Sequence, residues 1–79
     1  MKKEYNVYYN GVLYDVRHGG PFDRGAADSW YSRAMDPHFY VDGTHRSARI
    51  EKQSMTEDQI AEYIAGYEYN ERFGGKKEW

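Results

Sequence analysis

YNVYYNGVLYDV, residues 5–16, decides the fold class. Asn10-Gly11 sits between two runs rich in β-branched and aromatic residues. Both central positions of a two-residue type I′ turn need positive φ, which Asn and Gly tolerate. A turn there pairs Tyr9 with Val12, Val7 with Tyr14 and Tyr5 with Val16, and puts all six on one face. Asn6, Tyr8, Leu13 and Asp15 fall on the other. A slip of one residue would invert both faces, so turn chemistry and alternation together specify the register. A lone hairpin is marginal in water, and its apolar face needs a cover.

Two helices supply that cover. Arg17-His18-Gly19-Gly20-Pro21 breaks the strand, and Asp23 is placed to cap a helix over residues 24–35. Ala27, Trp30, Tyr31 and Ala34 recur at i, i+3, i+4 and i+7, the spacing of one buried face. Gly25 costs such a helix about 1 kcal/mol relative to Ala. Close approach of another backbone at that point would compensate. Asp36-Pro37 ends the helix, because the residue before Pro is pushed out of α geometry. Thr56-Glu57-Asp58-Gln59 fits a capping box, with Met55 stapled on Ile60. Ile60, Tyr63, Ile64 and Tyr67 then form the buried stripe of a helix over about residues 57–73, which Gly74-Gly75 stops. Lys76-Lys77-Glu78-Trp79 is expected to be a mobile tail. Between the helices, His38-Phe39-Tyr40-Val41 reads as extended, Asp42-Gly43 as a turn, and Arg49-Ile50-Glu51 as a candidate third short strand. The expectation is an α+β fold, one small domain over residues 1–79, with an N-terminal hairpin packed on two helices.

The core must be thin and aromatic. A chain of 79 residues buries a limited fraction of its surface. Its branched aliphatics are Val7, Val12, Leu13, Val16, Val41, Ile50, Ile60 and Ile64, against fourteen aromatics of which nine are Tyr. Rings must therefore fill part of the core, while not all nine phenols fit there. With no cysteine, neither disulfides nor thiolate metal sites can add to it. No apolar run reaches the length of a membrane span, and Met1-Lys2-Lys3-Glu4 leads into no signal-peptide hydrophobic region, so a cytoplasmic location is expected. Net charge is -2, which argues against a dominant phosphate-backbone footprint. Residues 1–55 carry 8 Lys/Arg against 7 Asp/Glu, and residues 56–79 carry 3 against 6. A basic strip and an acidic helix can coexist.

Signals for chemistry are weak. His18, His38 and His45, with Asp36 or Asp42, lack any spacing that fixes a metal-ligand pair. Asp23, Asp28 or Asp36 with His38 could do acid–base work only inside a pocket that shifts their pKa values. Asp23 and Asp28 also have ordinary electrostatic roles near a helix start. Gly19-Gly20 before a helix can cradle an anion, yet Pro21 removes a donor and no Lys follows. HFYVDGTHRSARIEK, residues 38–52, sets Phe39 and Tyr40 beside His45, Arg46, Arg49 and Lys52, the mixture single-stranded nucleic acid binders use. An edge strand whose charges blunt edge-to-edge pairing has the same composition.

HGGPFDRGAADSWYSR (residues 18–33), DPHFY (36–40), DGT (42–44) and MTEDQIAEYIAGYEYNE (55–71) together resemble a group of short, uncharacterised bacteriophage proteins. Those proteins join an HG-P-DRG-AD-YY-R-PH block to a C-terminal helix containing A-GY. A fainter similarity is to ribosome modulation factor, through Arg24-Gly25, residues 37–40 and Ala65-Gly66-Tyr67. That family is strongly basic and binds ribosomal RNA, whereas this chain is acidic.

Weak catalytic signals, excess aromatic surface and a marginal core lead to the expectation of a non-enzymatic accessory protein that binds and modulates a host protein, and the phage resemblance implies the setting, host take-over or counter-defence in the host cytoplasm. Trp30, Tyr31, Phe39 and Tyr40 are the expected anchors, and Arg33, Arg46 and Arg49 the steering charges. No cofactor, metal or membrane is expected. An RNA- or ribosome-binding modulator is the alternative, and a minor virion component or self-assembling homodimer a third.

Overall fold

Asn10 and Gly11 adopt φ of 52° and 77°, the left-handed pair a type I′ turn demands. They close a hairpin of β1 (Asn6–Tyr9) and β2 (Val12–Asp15), paired in the expected register, Tyr9 with Val12 and Val7 with Tyr14. The computed structural model describes residues 6–41 and 47–78. Tyr5, the Asp42-Gly43 turn, His45, Arg46 and Trp79 lie outside the described residues. After the hairpin come α1 (Pro21–Trp30), β3 (His38–Tyr40), β4 (Arg49–Glu51), a 3-10 turn (Lys52–Ser54) and α2 (Glu57–Phe73). The architecture is α+β. The extended segment and the third strand foreseen after α1 are paired with each other, antiparallel, as a second small sheet.

The two helices meet at a notch of two glycines. A Cβ on Gly25 would overlap the Tyr63 carbonyl oxygen, and one on Gly66 would overlap the Phe22 carbonyl oxygen. Each helix therefore brings its backbone to the point where the other lacks a side chain. This is the close approach that Gly25 required.

That crossing also decides which face of α1 is buried. Phe22, Gly25, Asp28 and Ser29 face inward, in place of the expected Ala27, Trp30, Tyr31 and Ala34. Apolarity misleads here because a close crossing is lined by the smallest residues and by polar groups that hydrogen-bond across it. In α2 the buried positions are Tyr63, Ala65 and Gly66, with Ile60, Ile64 and Tyr67 only half-buried. The hairpin's inner face covers the pair. Tyr9, Phe22 and Ala65 form one cluster with Val7, Tyr14, Val16 and Tyr69 against it. Tyr9 sets its ring edge-on to Tyr69 at 5.7 Å.

Helix ends follow the chemistry of caps. Thr56 and Gln59 form the expected capping box on α2, and Gly74 is its C-cap. α1 starts and stops earlier than the expected residues 24–35. Pro21 occupies the first helical position, where its missing N–H costs nothing. Asp23 reaches back to accept from the Gly19 N–H at 2.8 Å instead of serving as the N-cap. The stop is a Schellman motif, well before Asp36-Pro37. Ser32 takes φ 60°, its N–H donates to Ser29 O, and the Arg33 N–H donates to Asp28 O.

The expected mobile tail is tied down at its start. The Lys77 N–H donates to Trp30 O at 2.7 Å, and Lys76 Nζ donates to Ser29 O at 2.9 Å. Lys76 also pairs with Glu71, and this hydrogen bond is the first reason the Glu71 carboxyl sits below its ordinary range. Among the described residues, no helix is long and apolar enough to cross a membrane.

Candidate functional site

A buried polar cluster lies where α1, α2 and β3 converge. Tyr63, in the middle of α2, is fully buried. Its phenol donates to Asp28 Oδ2 and accepts from the Asp36 N–H at 3.0 Å. Burial first, and the bond to Asp28 second, push the Tyr63 phenol far above the ordinary tyrosine range. It therefore stays a donor, and a buried carboxylate needs a donor. Asp28 also pairs with Arg33 Nη1 at 3.3 Å.

His38 completes the cluster. Arg24 Nε donates to His38 Nε2 at 3.2 Å, and Asp36 O lies 2.6 Å from Nδ1. Arg offers only donors and a carbonyl only an acceptor, so the His38 proton sits on Nδ1. Both ring nitrogens are thereby occupied. Tyr40 and Tyr63 pack against the imidazole, with ring centroids 5.8 Å away in each case.

Above this cluster opens a cleft of about 250 Å³, lined by Arg24, Asp28, Arg33, Asp36, His38 and Arg49. Three guanidinium groups face two carboxylates there. Arg49 reaches from β4 to Asp36 Oδ2 at 2.5 Å and to Glu51 Oε2 at 2.9 Å. Arg33 stacks its guanidinium over the Tyr31 ring at 4.8 Å, and Lys77 approaches the same ring at 5.9 Å. Trp30, beside Tyr31, leaves 41% of its surface exposed and lies against Gly75. The Tyr31–Arg33 stack thus adjoins a cleft whose guanidinium groups are matched by Asp28, Asp36 and Glu51.

The expected site residues divide into two groups. Arg33 and Arg49 line the cleft, Tyr31 adjoins it through its stacking with Arg33, and Trp30 lies at the end of α1 against Gly75. Phe39 and Tyr40 are only 7% exposed, so they are core rings of β3 and not free anchors. Both were expected to be exposed anchors, but β3 is buried along all three residues. Arg46 lies outside the described residues.

The other candidates fare differently. Asp28 and His38, named for acid–base work, are neighbours at 3.8 Å, but their polar atoms are held by Tyr63, Arg24 and the Asp36 backbone. Helical spacing places Tyr63 only in the apolar stripe of α2. Its role as a buried donor has no signal in helical spacing. The Gly19-Gly20 cradle is spent, since those N–H groups donate to Asp23 and to Arg17 O. Among the described residues, no group of three or more His, Asp or Glu is placed to hold a metal ion.

No family model, curated protein or solved structure matches this chain.

Proposed function

We propose that this chain is a non-enzymatic binding module that engages a partner protein through the C-terminal end of α1 and the arginine cleft beside it. The observation that carries the reading is an exposed Trp30 and a half-buried Tyr31 at the end of α1, with Arg33 stacked on Tyr31 and lining, with Arg49, the cleft that follows. Aromatic and arginine side chains are the usual anchors of protein interfaces. Arg33, already stacked on Tyr31 and with its side chain 55% exposed, offers its remaining donors to an acidic group on the partner at little further entropy cost. The groups best suited to proton transfer, Asp28, His38 and Tyr63, are engaged in holding the helices and β3 together, which supports a binding role over catalysis.

The phage resemblance supplies the setting, an accessory protein that modulates a host protein during take-over or counter-defence in the host cytoplasm. Arg49 already pairs with Asp36 and Glu51, so the β4 strip is poorly disposed to grip phosphates. That favours a protein partner over RNA. The test is affinity capture from bacterial lysate, with and without nuclease. One dominant protein that survives nuclease is the expected result. Ribosomal proteins that vanish on nuclease treatment would overturn the reading in favour of RNA, and recovery of the chain alone would favour self-assembly.

A further inference from the structure

A second surface lies away from the arginine cleft's residues. β2 and the N-terminal half of α2 border a groove of about 380 Å³, lined by Val12, Leu13, Tyr14, Asp58, Ala61 and Glu62. Its floor is apolar. Val12, Leu13, Tyr14 and Ala61 supply it, with Val12 47% and Leu13 54% exposed. Its rim is acidic. Asp58 and Glu62 lie within it, and Asp15 is close enough for its charge to act on Glu62. The cation beside them is Arg17, which pairs with Asp15 at 3.8 Å.

The groove also runs along a free strand edge. Among the described residues β2 pairs only with β1. In a two-residue hairpin Tyr9 and Val12 form the hydrogen-bonded pair next to the turn, as do Val7 and Tyr14 further along. Leu13 and Asp15 therefore point their N–H and C=O groups away from β1. Such an edge is a template for another strand. A second copy would carry the same acidic rim, so the groove favours a partner of positive charge over self-association.

We infer that this groove docks an extended cationic segment of a partner protein. The segment adds to β2 as a third strand, sets aliphatic side chains beside Val12 on one face and Leu13 on the other, and places Lys or Arg against Asp15, Asp58 and Glu62.

The probe is a short synthetic peptide alternating Lys with Leu, with its Glu/Leu counterpart as control, titrated into the isotopically labelled chain. Saturable amide shifts are expected at residues 12–15 and 58–62 with the Lys peptide alone. Amide exchange at Leu13 and Asp15 should slow about tenfold on saturation, since strand addition protects those two donors. Raising ionic strength from about 0.05 to about 0.5 M should weaken binding about fivefold as the charges are screened. Leu13→Lys, at an exposed position, should abolish binding without altering the melting temperature. Asp58→Asn with Glu62→Gln should weaken it, while Glu68→Gln, outside the groove, should not. Shifts spread over all acidic residues, exchange at Leu13 and Asp15 that stays unprotected, or Leu13→Lys binding like the wild type would each overturn the inference.

Discussion

Tyr63 donates its phenolic proton to Asp28 and so clamps the middle of α2 to the last turns of α1 at a point no solvent reaches. The same oxygen accepts the Asp36 N–H, which fixes the chain leaving α1 and sets β3 against the helices. One hydroxyl thus organises the floor of the arginine cleft. Tyr63→Phe should leave both Asp28 and the Asp36 N–H short of a partner and cost about 1–3 kcal/mol in urea unfolding.

The clamp has an alkaline signature. The folded state holds the Tyr63 proton more tightly than the unfolded chain does. Its contribution is complete below the ordinary tyrosine pKa of about 10 and is lost as pH rises towards the raised folded value. Stability should therefore fall above about pH 10. One phenolate, followed by ultraviolet absorbance, should appear only with global unfolding, and this step should be missing from Tyr63→Phe.

The glycine notch makes the helix crossing intolerant of a single methyl group. Gly25→Ala or Gly66→Ala gains helix propensity but drives a Cβ into a backbone carbonyl that cannot rotate away. Each should lower stability by about 1–3 kcal/mol or more. Once one substitution has spread the helices, the second meets less resistance, so the double variant should lose less than the two single losses combined. Thermal melts of the four species test this.

Glu62 predicts a stabilising substitution. Its carboxyl is pushed above its ordinary range by burial first, then by the charges of Asp15 and Asp58, with Arg17 opposing. The raised folded value means its proton stabilises the fold at low pH, and that stabilisation is lost as pH rises through it. Glu62→Gln removes the charge. It should raise the melting temperature at pH 7 and make no difference at a pH below the ordinary glutamate value.

How far these features were legible in the sequence follows from their range. The hairpin was readable because Asn10-Gly11 and the alternation around it are local and agree. The capping box at Thr56 is equally local, and Gly25 announced a close backbone by its presence in a helix. α1 itself misled. Pro21 in the first turn starts it, while Asp23, a good cap by residue type, accepts from the Gly19 N–H instead. Ser32 in a left-handed conformation is a stop that residue type does not advertise. Around the candidate site, residue type singles out Arg33 and Arg49, which line the cleft, and Tyr31, on which Arg33 stacks. The burial of Phe39 and Tyr40, and the Tyr63–Asp28–His38 cluster, depend on contacts between segments distant in sequence, which periodicity cannot reach.

Phe39 and Trp30 should accordingly behave in opposite ways. Phe39→Ala empties a buried ring position and should cost about 3–5 kcal/mol, enough to unfold a chain of this size. Trp30→Ala, at a partly exposed position, should change the melting temperature little. Parallel melts of the two variants decide which ring is core.

The most direct measurement is the affinity of the captured partner for the wild type, Trp30→Ala and Arg33→Ala, with melting temperatures recorded alongside. Loss of about tenfold or more in each variant, some 1.4 kcal/mol, with the fold intact is the predicted result. Wild-type affinity in both variants would contradict the assignment of the α1 end and its cleft as the binding site.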